Sequence, residues 1–462
     1  MPVTAIILAA GEGTRMKSAH PKVTHKLLDH PLVWWSVDAA RKAQVDRIVV
    51  VVGNGADEVR DVFAGDDDIT FVEQAERLGT GHAVKVVRDE LGGLAGPVVV
   101  LTGDSPLIRP ETISKLVDHN REGHFACTVL TMVPKDPSGY GRIVFGTDGQ
   151  IKAIVEDKDC TPRQRLELCE CNSGIYCFCG RRLSESIDRL GHDNVQGEYY
   201  LTDMVGIYRE MGEPVSSVPC CDPTELLGVN DRAQLAEATC VMRDRINQRL
   251  MAEGVSMLDP SLVWVGPDVE VARDAVLMPM TMLWGRTSVG EASVIGPNSR
   301  LTDTYVGCRS TVEETVAIEA RIDDDVSCGP RAYLRPGAHL MDGSKAGTHV
   351  EIKKSTIGPG SKVPHLSYIG DATIGEGVNI GAGTITCNYD GIHKNKTTIG
   401  DRTFVGSDTM LVAPVNVGSD VTIGASSCIT HDVPDGALAV ERSEQKVVEG
   451  YAERKRAQRG EA

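Results

Sequence analysis

An α/β domain followed by a parallel β-helix is the architecture this sequence predicts, on three observations. Three unbroken apolar runs, TAIILAA, RIVVVVG and PVVVLTG, lie in the first part of the chain. Such runs mark strands buried on both faces, as in a mostly parallel sheet. Between them lie stretches with helical spacing, PLVWWSVDAARKA and TGHAVKVVRDEL, which gives the alternation of an α/β domain. Further on, twelve Val-Gly or Ile-Gly dipeptides crowd between Val265-Gly266 and Ile423-Gly424, against two in all the chain before them. Many of their glycines are six residues apart or a multiple of six, as in Gly266 to Gly290, Gly375 to Gly381, Gly400 to Gly406 and Gly418 to Gly424. A six-residue period fits neither a helix nor alternating strands. It is the period of a β-helix whose triangular coil takes three hexapeptides per turn. On this reading the aliphatic residue points into the coil and the small residue lets the chain turn the corner.

A chain of 462 residues is too long for one core, so two or three domains are expected. The α/β domain is assigned to 1–228 and a helix to 229–254, where Leu235, Met242, Ile246 and Leu250 recur at helical spacing. That helix either connects the two domains or packs into the first. The hexads run over 255–436, enough for about nine or ten coils, and 437–462 is a charged tail. Between Thr384 and Ile399 the sequence TITCNYDGIHKNKTTI breaks the pattern. It reads as a loop thrown out from a coil, a common place for function.

Composition excludes several function classes. The formal charge of −17, from 48 Lys plus Arg against 65 Asp plus Glu, argues against nonspecific nucleic-acid binding. Residues 3–10, VTAIILAA, form a short apolar run with no basic region before it, and read as a buried strand rather than a signal peptide. No apolar run reaches the roughly 18 residues that span a bilayer. No membrane insertion and a cytoplasmic location are therefore expected. Of 13 cysteines, Cys160, Cys169, Cys171, Cys177 and Cys179 cluster. Their spacing is not that of a zinc knuckle. They read as reduced thiols on strands, where residues two apart share a face.

The motif LAAGEGTRM follows the first strand directly. Its glycines would let backbone N–H groups approach an anion at the start of a helix, with Arg15 and Lys22 adding positive charge. A dinucleotide site would need a third glycine where Met16 stands. Asp104 closes the run VVVLTGD. A carboxylate at the C-terminal end of a parallel strand lies where α/β sheets bind ligands, and suits Mg²⁺ on a nucleoside triphosphate. The alternative for a lone Asp is a turn or cap.

Taken in order, LAAGEGTRM, PKV, EQAERLGTGHA, TGDSPLI, SGYGRI, IVEDKD, NSGIY, QGEYYLTD and GVNDR resemble the sugar nucleotidyltransferase domain of bacterial bifunctional N-acetylglucosamine-1-phosphate uridyltransferases. The resemblance covers nearly all of residues 1–232. It implies an α/β nucleotidyltransferase (Rossmann-like) domain followed by a left-handed parallel β-helix of hexapeptide repeats. It implies that Arg15 and Lys22 hold the triphosphate as catalytic residues, and that Leu8, Ala9, Gly11, Gln74, Gly79 and Thr80 bind UTP. Asp104 and Asn230 would bind Mg²⁺, and Gly141, Glu156 and Asn172 the sugar phosphate. Two positions depart from the pattern. Glu12 stands where a Lys or small residue is usual, and is expected to face solvent, because an inward carboxylate would repel phosphate. Asp29 stands where a glycine is usual.

In the hexad region four segments interrupt the apolar pattern: AYLRPGAH, VEIKKS, SKVPHLSYIGDA and ITCNYDG. Arg335 and Lys353, or its neighbour Lys354, could clamp an anion. They are 18 residues apart and so stack on one face, with His365 and Tyr368 about one coil further on. A basic pair beside a histidine suits an acceptor that carries phosphate and must lose a proton. On residue type alone, solvated cations and a structural histidine remain the alternative.

These strings also resemble the acetyltransferase half of the same bifunctional family, in the same order. The resemblance implies that Arg335, Lys353, Tyr368 and Asn379 bind glucosamine 1-phosphate and that His365 takes the proton of the attacking amine. Asn388 and Tyr389 would flank the acetyl group, and Ala382, Ser407, Ala425 and Arg442 would contact acetyl-CoA. It further implies a homotrimer with sites between β-helices. The two reactions together would make UDP-N-acetylglucosamine, a precursor of cell-wall peptidoglycan and lipopolysaccharide. The alternative is a monofunctional sugar-phosphate nucleotidyltransferase whose β-helix is structural or regulatory.

Overall fold

The computed structural model describes residues 1–460. The chain divides into two compact units, Met1–Met242 and Arg243–Ala462.

The first unit is built on a twisted sheet. Across it the strands run Val215–Pro219, Cys127–Met132, Cys171–Cys179, Pro97–Thr102, Thr4–Leu8, Arg47–Val52 and Ile69–Glu73. Within this row Cys171–Cys179 alone is antiparallel to its neighbours. The three apolar runs of the sequence are the adjacent central strands, and Ile6, Val50 and Val100 are fully buried. Strand Thr4–Leu8 is parallel to Arg47–Val52 on one side and to Pro97–Thr102 on the other. The chain therefore leaves the first strand in one direction and later returns on its other side. The C-terminal ends of these strands are the switch point where such sheets bind ligands.

The helix Arg232–Ala252 contains the division between the units. Near its start Arg232 donates to the carbonyl of Met16, at 3.3 Å. Near its end Asn247 donates to the carbonyls of Pro260 and Val263, at 2.8 and 2.9 Å. The four apolar residues read at helical spacing include Met242, Ile246 and Leu250, all buried. No helix among the described residues is long and apolar enough to cross a membrane.

The second unit is a left-handed parallel β-helix with three flat faces. Among the described residues these carry eleven, ten and nine short strands. Outside the coil that carries the loop, most register partners lie 16 to 18 residues apart, as in Tyr305 with Arg321, Val316 with Tyr333 and Trp264 with Met282. On one face Val265, Leu283, Leu301, Ala317, Leu334, Ile352 and Ile369 stack coil upon coil, each fully buried. At the polar interruption Thr373 pairs with Thr398. That coil is longer than its neighbours by the expected loop, which lies between Ile385–Cys387 and Thr397–Ile399.

Most glycines of the hexads do a different job from the expected one; Gly296, at φ +95°, does take a left-handed conformation. Gly290, Gly381 and Gly406 do not have positive φ. The left-handed residue is the one two positions on: Ala292, Gly383 and Asp408. What excludes a side chain at the glycine is the next coil. A Cβ on Gly381 would lie 2.4 Å from the Ser407 nitrogen, and one on Gly406 would lie 2.5 Å from that of Ala425. The period thus records close backbone approach rather than the turn itself.

Candidate active sites

The first unit has a cleft of about 730 Å³ at the switch point, lined by Leu8, Gly11, Gln74, Gly79, Thr80 and Asp104 among others. Five of the six residues implied to bind UTP thus meet in one cavity with the implied metal ligand. Ala9, the sixth, is buried beneath, its N–H bonded to Val51. Gly79 must be glycine, because its φ is +104° and a Cβ there would lie 2.7 Å from the Tyr199 carbonyl.

The phosphate loop differs from its expected form. It enters a three-residue 3-10 turn, Thr14–Met16, and Lys17 at φ +48° ends that turn. No α-helix begins there, so no helix dipole adds to the loop. Positive charge comes from side chains. Gly13 lies so close to Lys22 that a Cβ on it would meet the Lys22 Cβ at 2.3 Å. The largely buried Lys22 ammonium bonds the Asp104 carboxylate and, at 3.0 Å, Asn230 Oδ1. The chain closes this cluster by a bond from the Val229 N–H to the Asp104 carbonyl, at 2.8 Å. Arg15 is exposed and is not part of the cleft lining.

Glu12 does not simply face solvent. Its carboxylate is paired with the guanidinium of Arg77, and both residues line the cleft. The repulsion expected from an acidic residue in a phosphate loop is offset locally by the Arg77 cation. Arg77 went unread in the sequence because the partner is remote in the chain.

Gly141, Glu156 and Asn172 also come together. The Asn172 N–H donates to the Gly141 carbonyl at 2.8 Å, and a Cβ on Gly141 would lie 3.5 Å from Glu156 Oε2. A bulge between Asn172 and Tyr176 turns this stretch out of register, a common device beside binding sites. Burial raises the Glu156 carboxyl pKa, and a bond from the Thr202 hydroxyl opposes the shift. The cysteine cluster lies in the same unit, with Cys171 and Cys177 buried as free thiols. Among the described residues no three His, Cys, Asp or Glu side chains group as a metal site.

On the β-helix one corner carries a column. The pairing of Lys362 with Asn379 places His365 beside Ala382. The pairing of Ile380 with Val405, and of Val405 with Ile423, places Ala382 beside Ser407 and Ser407 beside Ala425. Arg442 donates to the Ala425 carbonyl at 3.3 Å. The His365 imidazole is exposed, and no hydrogen bond or ion pair engages it among the described residues. A structural role for this ring is therefore not what the geometry shows.

The face next to that corner carries the cations. Leu334 pairs with Ile352, so Arg335 and Lys353 stack as expected. Arg335 is held by Glu351 at 2.8 Å. Tyr368 pairs with Glu351 and folds over Gly370, where a Cβ would meet the Tyr368 hydroxyl at 2.5 Å and the Asn388 amide at 2.8 Å. Asn388 is buried and donates to Asp371 at 2.6 Å, while Tyr389 is exposed.

Lys394 joins this group unforeseen. The loop folds back through a bridge between Tyr389 and Lys394, bringing Lys394 against Lys353. The adjacent Lys394, then loss of solvent, then the charge of Arg335 lower the Lys353 pKa. Arg335, Lys353 and Lys394 thus gather positive charge at one place, with Glu351 and Asp371 as the neighbouring carboxylates. The signal available in the sequence was the basic character of GIHKNK within an off-pattern loop.

The fold is that of a two-unit protein of the transferase class, a nucleotidyltransferase-like α/β sheet followed by a parallel β-helix. Residues 5–202 match the family described as MobA-like NTP transferase domain. The chain is 47% identical to the bifunctional protein GlmU of Heliobacterium modesticaldum, over 98% of each chain. It is 45% identical to that of Clostridium acetobutylicum, over 98% of each, and 47% identical to that of Streptomyces avermitilis, over 98% of this chain and 95% of the relative. The chain belongs to the family of the bifunctional protein GlmU. It is an enzyme with uridyltransferase and acetyltransferase activity. Because the relatives span both units, the monofunctional reading falls.

Proposed function

We propose that the second unit acetylates glucosamine 1-phosphate from acetyl-CoA and that the first transfers uridylyl from UTP to the N-acetylated product. The observation that carries this is two groupings on separate units: Lys22, Asp104 and Asn230 at a nucleotide-sized cleft, and His365 at the head of a column beside three cations.

In the first reaction an oxygen of the sugar phosphate attacks the α-phosphorus of UTP, and pyrophosphate leaves. Such a step needs in-line placement and charge neutralisation rather than a protein nucleophile. Leu8, Gly11, Gln74, Gly79 and Thr80 seat the nucleoside. Gly141, Glu156 and Asn172 hold the sugar phosphate. Lys22 and Arg15 offset phosphate charge. The Asp104 carboxylate and Asn230 carbonyl are hard oxygen donors that already converge on one cation, the Lys22 ammonium, and so suit Mg²⁺. When bound, Mg²⁺ supplies further neutralisation of the triphosphate.

In the second reaction the sugar amine attacks the thioester carbonyl and coenzyme A leaves as the thiol. Arg335, Lys353 and Lys394 fix the phosphate, with Tyr368 and Asn379 on the sugar. His365 Nδ1 or Nε2 accepts the amine proton. Asn388 and Tyr389 flank the acetyl group, and Ala382, Ser407, Ala425 and Arg442 lie along the acetyl-CoA track. A homotrimer completes this site. Its support is the apolar surface beside the column, where Leu366, Tyr389, Ile392 and Phe404 are all at least half exposed, since such surface marks association. Sedimentation equilibrium should return three times the 49.6 kDa chain mass; a monomer would refute it. A cytoplasmic location accords with UTP and acetyl-CoA as co-substrates.

The domain division 1–228, 229–254, 255–436 and 437–462 is tested by truncation. A chain of residues 1–252 keeps Asn230 and the whole connecting helix. It is expected to release pyrophosphate from UTP within about threefold of the intact rate and to show no acetyl transfer. A well-folded fragment with no pyrophosphate release would show that the first site is not self-sufficient.

A further inference from the structure

Gln74 sits at the end of strand Ile69–Glu73, its backbone N–H bonded to the Val52 carbonyl at 2.8 Å. The residue is 4% exposed and lines the cleft. Its side-chain nitrogen lies 3.1 Å from the Gly79 carbonyl oxygen and 3.0 Å from His82 Nδ1. These two contacts determine what the amide offers to the cavity. A carbonyl can only accept, so the group facing Gly79 must be the NH₂ and not the oxygen. One amide hydrogen is used there. The other points at His82 Nδ1, which must carry a lone pair, so the imidazole proton resides on Nε2. Both donors of the amide are then spent inside the protein. Among the described residues nothing donates to Gln74 Oε1.

We infer that His82 is a positioning residue that sets the pyrimidine specificity of the cleft, by holding the Gln74 amide so that it presents only an acceptor. This rests on the proposal that the cleft seats the base of UTP. Uracil carries a hydrogen on N3 and can donate to Oε1. With N3 of the base facing Oε1, cytosine would set a lone pair against it with no proton between them, and only a shift of the ring toward its 4-amino group would restore a donor. A site that leaves a buried polar group unpaired with the wrong ligand discriminates strongly. His82 does not touch the base. It acts by removing the second hydrogen that a freely turning amide could offer to cytosine. Its place is secured by chain geometry, since it lies in the first turn of helix Thr80–Glu90, and its ring is 6.4 Å from that of Tyr199.

The test is the ratio of kcat/KM for UTP to that for CTP, read as pyrophosphate release with N-acetylglucosamine 1-phosphate and Mg²⁺ on the full-length protein. His82→Leu removes the acceptor, and the ratio is expected to fall by about tenfold. His82→Asn places an oxygen near the Nδ1 position and should keep the ratio within about threefold of wild type. His82→Lys, which can only donate, should lower the ratio at least as far as Leu, and serves if the Leu variant does not fold. A uniform loss with both nucleotides, leaving the ratio unchanged in Leu and Lys, overturns the positioning role and makes His82 merely structural. Equal use of UTP and CTP by the wild-type protein would instead sink the uridine assignment of the cleft itself.

Discussion

Replacing Asp104 with Ala is expected to lower uridylyl transfer by about 10²–10³ or more and to leave acetyl transfer at the wild-type rate. Asp104 follows a central parallel strand, and its carboxylate accepts from Lys22, which also donates to Asn230, at the edge of the nucleotide cleft. The substitution removes the one negative charge in that trio, so neither Mg²⁺ nor Lys22 is held in register with the triphosphate. The backbone is unaffected, because the bond from Val229 goes to the Asp104 carbonyl. Asp104→Asn separates shape from charge: it keeps an oxygen near the same place and should still lose most of the activity. Both rates are read on one preparation, pyrophosphate release for one site and free thiol for the other. Unchanged Mg²⁺-dependent pyrophosphate release in Asp104→Ala would remove Asp104 from the mechanism.

The second large effect is His365→Ala, expected to cut acetyl-transfer turnover by about 10²–10⁴ with uridylyl transfer unchanged. The imidazole heads the corner column, is exposed and has no protein partner among the described residues. Its removal should therefore shift stability by no more than about 0.5 kcal/mol. Binding of glucosamine 1-phosphate should survive, because the proposed phosphate clamp of Arg335, Lys353 and Lys394 is left in place. Lys353→Ala should do the reverse, raising the Michaelis constant for that substrate by about 10- to 100-fold with a smaller effect on turnover. Steady-state kinetics of both variants at saturating acetyl-CoA discriminate the roles. A His365→Ala enzyme that changes only its Michaelis constant would mean that His365 binds rather than accepts the proton.

Local pattern was enough for much of this. The apolar runs around Ile6, Val50 and Val100 could only be strands covered on both faces, and their helical spacers imposed an α/β sheet. The hexad period required a β-helix, and the 18-residue step from Arg335 to Lys353 placed those cations on one face. The break in period after Thr384 marked the loop. In each case one residue's environment is dictated by neighbours at short, regular spacing, so the chain's own periodicity carries the information.

Local patterning thus carried the two architectures, the order of the motifs and the residue types available for phosphate, uridine and proton transfer. The tertiary structure alone decided which of them meet. Arg77 neutralises Glu12, Lys394 turns back onto Lys353, and His82 spends the second hydrogen of Gln74, all through chain reversals that no local period encodes. It also decided why the hexad glycines are glycines. The turn belongs to the residue two places on, and the glycine answers to a backbone one coil away. The physical reason is the same throughout. Periodicity reports the field felt along the chain, whereas charge pairing, hydrogen-bond saturation and close contact depend on distances between segments remote in sequence, which only the folded chain defines.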